Sequence, residues 1–137
     1  MLEYQITAES GPGGEATARA KKTEIPFDAA AESGTQYPNP AELFLSSFAA
    51  CVLKNVERYS HILHIPYTKA SISVKGWRRD VPPAMVKVEY ELTVWSREEE
   101  RRIDLLHRNI EKFGTIYNTV KASCEVTGTM IHKKEDL

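Results

Sequence analysis

The chain has 137 residues, the length of a single domain. Its 42% apolar and 27% charged residues are those of an ordinary globular protein, which excludes a disordered or low-complexity chain. With 18 basic against 19 acidic residues and a pI near 6.4, it is not a general nucleic-acid binder, for which a pI above about 9 is expected.

From the N-terminus, Tyr4, Ile6 and Ala8 alternate with Gln5, Thr7 and Glu9, which is the period of a strand. Gly11-Pro12-Gly13-Gly14 is a turn, and Ala16, Ala18 and Ala20 then alternate with Thr17, Arg19 and Lys21, so the pair reads as a hairpin. Residues 26–38, rich in Pro, Gly, Ser and Asp, read as a loop. A long helix is expected from Asn39, with Pro40 at its first position and Glu42 completing a capping box. From Ala41 to Leu53 nearly every side chain is apolar or small, the pattern of a helix buried all round. The second half is amphipathic, with Val56, Tyr59 and Leu63 inward, and Pro66 ends it.

Ile72 and Val74 mark a strand, and Val86, Val88, Tyr90, Leu92 and Val94 a second, cleaner one. Ser96 and Glu99 form an expected capping box for a helix with Ile103, Leu106, Ile110 and Phe113 inward, with Gly114 as its C-cap. One short helical turn is expected within residues 115–122, and a last strand over residues 123–131. The order β-β-α-β-β-α-β, with strands paired as hairpins, defines an α+β class and one domain over residues 1–137. A single sheet cannot enclose the apolar helix at 41–53, so a second copy of the chain is expected to cover it.

Two cysteines without a C-x-x-C are too few for a disulfide-stapled secreted fold. The N-terminus lacks the basic-then-apolar order of a signal peptide. The longest uncharged apolar run, Leu43–Leu53, is 11 residues, short of the roughly 20 that span a bilayer. The chain is expected to be cytoplasmic, with neither membrane nor nucleic acid as partner.

The segment Pro38-Asn-Pro-Ala-Glu-Leu-Phe-Leu-Ser-Ser-Phe-Ala-Ala-Cys51 resembles the signature of the OsmC/Ohr family, the osmotically inducible protein C and organic hydroperoxide resistance proteins. The element order matches over nearly the whole chain. The resemblance implies an intertwined homodimer, with long central helices packed against antiparallel sheets. It also implies a thiol peroxidase of oxidative-stress defence, whose helix cysteine reduces organic hydroperoxides. In the well-studied branches a second cysteine, in a Cys-Pro motif, resolves the first, and a glutamate and an arginine hold the thiolate. Cys51 matches the reactive cysteine. The glutamate position ten residues upstream is Ala41, and Glu42 stands nine upstream, a spacing also found in a less characterised branch. The Cys-Pro position is occupied by Gly114-Thr115, and the arginine nearest the first turn is Arg19.

Each candidate has two readings. Cys51 is either a packed thiol or a nucleophile that peroxide converts to a sulfenic acid. Glu42 is either a helix cap or a residue of the site. Nine helical residues separate it from Cys51 by about 13–14 Å on the opposite face. It therefore reaches a Cys51 only from an antiparallel partner helix. Cys124 is either a core residue or an unusual resolving thiol. Glu57, His61 and His64 either support a metal or simply suit a helix C-terminus. Arg78-Arg79-Asp80 and the charges of residues 97–102 read as solvated surface, with Glu98 and Arg102 supporting their helix. The leading expectation is reduction of small organic hydroperoxides by Cys51, helped by Glu42 of the partner chain. The reductant is an external thiol, and no metal or organic cofactor is needed. The alternative is a non-enzymatic module that binds a small apolar ligand at the dimer interface.

Overall fold

The computed structural model describes residues 1–32, 34 and 36–136. They fall into two compact units, Met1–Phe44 and Leu45–Leu137, with the boundary inside the long helix.

The first unit is a three-stranded antiparallel sheet, β1 (Thr7–Ser10), β2 (Glu15–Ala20) and β3 (Thr23–Asp28), in that order. The turn between β1 and β2 needs its glycines. Gly14 lies at φ +87°, and a Cβ there would meet the Ala30 backbone nitrogen at 2.2 Å. The third strand departs from the expected loop at 26–38. Its Pro26 pairs with Thr17 on an edge strand, where a missing N–H is tolerated. The tight turn before it is made by Lys21, at φ 54°, and Lys22, without the Gly or Asn that announces such turns.

The long helix α1 (Pro40–Ile62) starts as the sequence predicts. Asn39 Oδ1 accepts from the Glu42 N–H at 2.9 Å, and Glu42 Oε1 accepts from the Asn39 N–H at 3.1 Å, closing the capping box.

In the second unit β4 (Lys69–Asp80) and β5 (Pro83–Ser96) form a long antiparallel hairpin, followed by α2 (Glu100–Phe113), α3 (Thr115–Lys121) and β6 (Glu125–Lys134). The sheet order is β4-β5-β6. The expected antiparallel sheet is corrected here, because β6 runs parallel to β5. The chain crosses back through two helices, and such a crossover returns it in the direction it left. The inward residues of β5, Val88, Tyr90, Leu92 and Val94, are buried, as are Phe48, Val52 and Val56 of α1, Ile103, Leu106 and Ile110 of α2, and Tyr117 and Val120 of α3, and the rings of Phe48, Tyr90 and Tyr117 meet one another. Gly128 of β6 makes room for the Tyr90 ring, which a Cβ would meet at 1.9 Å.

Two details of α2 differ from expectation. Ser96 does not cap it. Its hydroxyl ends β5, donating to the Pro66 carbonyl and accepting from the Glu98 N–H, and the helix begins at Glu100. Phe113 is 45% exposed rather than inward, its ring stacked on Tyr59 at 5.5 Å. The Glu98–Arg102 pair forms as expected, at 3.2 Å. Among the described residues, no helix is long and apolar enough to cross a membrane.

Candidate active site

Cys51 sits at the middle of α1, half-buried, one turn after fully buried Phe48 and one turn before Asn55. Residues four apart share a helix face, so the Asn55 side chain reaches back over Cys51. Its Nδ2 donates to the Cys51 carbonyl at 2.9 Å and to Cys51 Sγ at 3.5 Å. A carbonyl oxygen only accepts, so this contact fixes which end of the amide faces the cysteine. The other end, Oδ1, is buried and has no hydrogen-bond partner among the described residues. An unpaired buried acceptor costs about 1–3 kcal/mol.

The second wall is the corner between α2 and α3. Gly114 is buried there in an extended conformation, its N–H donating to the Ile110 carbonyl at 3.2 Å. It links the two helices rather than ending α2 in the left-handed conformation typical of a glycine cap. A Cβ on Gly114 would lie 3.2 Å from Cys51 Sγ and 2.9 Å from Tyr117 Cβ. A side chain there would crowd both neighbours, so the packing of this corner beside the sulfur needs a glycine.

Tyr117 continues this wall. Its ring stacks on Phe48 at 5.5 Å, and its hydroxyl donates to Glu111 Oε2 at 3.1 Å. Burial and the Glu111 carboxylate push its hydroxyl up to about 12. Tyr90, against the same Phe48 ring, bonds His107 Nε2 at 2.6 Å and Glu111 at 3.2 Å, and burial and Glu111 raise it further. Both tyrosines stay protonated at physiological pH and act as fixed donors that hold the aromatic wall.

The other candidates have partners of their own. Glu42 closes the α1 capping box. Arg19 bridges Glu9 at 2.9 Å and Glu24 at 3.1 Å across the first sheet. Cys124 is buried just before β6, its thiol donating to the Met85 carbonyl at 3.3 Å. Both cysteines are free. Glu57 accepts from the Tyr67 hydroxyl. Among the described residues no group of three or more His, Cys, Asp or Glu side chains is placed to hold a metal ion. Asn55 is the residue that the sequence reading missed. Its signal is a lone amide in an otherwise apolar row of Phe48, Val52 and Val56.

The chain is α+β, with a half-buried cysteine at mid-helix beside the corner between α2 and α3. The sequence profile of the family described as OsmC-like protein matches residues 32–128, and the chain belongs to that family. Among its relatives is the hydroperoxide reductase of Mycoplasma genitalium, 25% identical over 95% of this chain and 98% of the relative. The fold is shared with an OsmC-like protein from Mycoplasma pneumoniae (TM-score 0.87, 20% identity, 96% and 97% of the two chains covered). It is shared also with the organic hydroperoxide resistance protein OhrB of Bacillus subtilis (TM-score 0.64, 19% identity, 94% and 98% covered).

Proposed function

We propose that the chain is a thiol peroxidase that reduces small organic hydroperoxides, with Cys51 as nucleophile and an external thiol as reductant. The observation that carries this reading is the environment of Cys51, a half-buried thiol at mid-helix with an amide N–H donor at 3.5 Å from its sulfur. A reacting thiol needs access, and Cys51 is only half-buried while Cys124 is buried. Membership of the OsmC-like family and a relative named hydroperoxide reductase support the same chemistry.

The thiolate attacks the terminal peroxide oxygen. An S–O bond forms, the O–O bond breaks, and the alkoxide takes up the proton that the thiol released. Cys51 becomes a sulfenic acid and the hydroperoxide an alcohol. Glycine stands where the family's resolving cysteine would be, so the next sulfur comes from outside the chain. One external thiol forms a mixed disulfide with Cys51 and releases water. A second displaces Cys51 and leaves as a disulfide. This cycle belongs in the cytoplasm, where low-molecular-weight thiols are kept reduced.

The active form is a homodimer in which α1 packs against its copy. Leu45, Ala49 and Leu53 are only half-buried in the single chain and Ala50 is exposed, which supports this assembly. Glu42 of the partner helix then helps to hold the site. Sedimentation should give a dimer with an interface above ~2,000 Å². A stable folded monomer at micromolar concentration would remove the partner's Glu42 from the site.

The test of the activity is turnover of cumene hydroperoxide with a dithiol reductant. Wild type should consume peroxide and Cys51→Ser should fall to background. Equal rates, or no turnover by either, would leave a non-enzymatic module for a small apolar ligand as the better reading.

A further inference from the structure

We propose that Asn55 positions the hydroperoxide at Cys51, its Nδ2 donating to the sulfur while its Oδ1 accepts a hydrogen bond from the terminal O–H of the peroxide. The inference rests on the peroxidase reading and adds to it a residue that selects for the peroxide group itself.

Asn55 is 5% exposed and lies in a row of α1 whose neighbours Phe48, Val52 and Val56 are fully buried and apolar. A Leu or Met would fill such a position without leaving a polar atom unpaired. Instead an amide is held there by the Cys51 carbonyl, its donor end on the sulfur and its acceptor end vacant. Buried polar atoms are nearly always satisfied, so a vacancy beside a nucleophile calls for a partner. Oδ1 is closed to bulk water in the resting chain, so that partner has to come with whatever binds Cys51. The terminal amide torsion of Asn is soft, which lets Oδ1 turn toward a molecule bound at Cys51.

A hydroperoxide carries one O–H donor, on the very oxygen that the sulfur attacks. An amide whose N–H faces the sulfur and whose carbonyl is free is complementary to that arrangement. The match persists through the reaction. When the S–O bond forms and the O–O bond breaks, the hydrogen stays on the transferred oxygen. Sulfur is oxidised to the sulfenic acid, the peroxide is reduced, and the alkoxide leaves to be protonated. The new S–O–H still faces Oδ1.

The experiment compares single-turnover oxidation of Cys51 by cumene hydroperoxide with its alkylation by iodoacetamide, a reagent without an O–H. Both are followed by peptide mass spectrometry at Cys51 in wild type, Asn55→Leu and Asn55→Asp. In Asn55→Leu, oxidation should slow by about tenfold or more, and alkylation by about threefold or less. The ratio of the two rates should therefore fall, while the melting temperature stays equal or rises. Asn55→Asp keeps the shape and an acceptor but loses the donor, so both reactions should slow together and the ratio should hold. A wild-type ratio in Asn55→Leu overturns the proposal. So does a lower melting temperature with both reactions slowed alike, the mark of a merely structural residue. A wild type inert to hydroperoxide overturns the peroxidase reading and this proposal with it, whereas a reactive wild type with an unchanged ratio in the variant overturns this proposal alone.

Discussion

The two cysteines of this chain are both free, yet their surroundings are opposite in sense. Cys51 is half-buried on α1, with an amide N–H pointed at its sulfur. Cys124 is buried at the entry to β6, with a backbone carbonyl 3.3 Å from its sulfur. At Cys51 the sulfur accepts from a side-chain amide, whereas at Cys124 the thiol is the donor, to a main-chain carbonyl. The difference teaches that a cysteine's chemistry follows from which end of the nearest dipole faces it and from access, not from burial alone. Packing at Cys124 and the reactivity proposed for Cys51 would then follow from these two environments.

The largest effect expected from this contrast is in labelling. Iodoacetamide at pH 6.5 should alkylate Cys51 at least about tenfold faster than Cys124 in the folded protein. Equal or reversed labelling, read from the two cysteine peptides, would break the contrast and count against a catalytic Cys51.

A smaller effect should come from crowding the corner beside Cys51. Gly114→Ala puts a methyl group 3.2 Å from Cys51 Sγ and 2.9 Å from Tyr117 Cβ. Overpacking of this kind costs about 1–3 kcal/mol. The variant should melt at a lower temperature and turn over peroxide several-fold more slowly. Wild-type activity would mean that the packing of this corner does not set the position of Cys51.

Much of the fold is legible in the sequence because local chemistry agrees with the final structure. The Asn39–Glu42 capping box, the turn at Gly11–Gly14 and the alternation of Val88, Tyr90, Leu92 and Val94 each specify their own element. What was illegible depends on partners distant in sequence. The strand β3 carries Pro26 and has no clean alternation, and it is a strand because β2 offers it an edge. The direction of β6 is set by the crossover through α2 and α3, which no local pattern records. The site divides in the same way. Cys51 stands out by its motif, and Gly114 by the absence of the motif's second cysteine. Asn55 looks like one more polar residue until the helix places its amide on the sulfur.

The central claim is that Cys51 is oxidised by peroxide and finds no resolving thiol in its own chain. The most direct measurement is mass spectrometry of peptides from protein treated with hydroperoxide without reductant and kept non-reduced. The account predicts a sulfenic or over-oxidised Cys51 and a Cys124 that remains a free thiol. A stoichiometric disulfide joining the Cys51 and Cys124 peptides would contradict it and restore a two-cysteine mechanism.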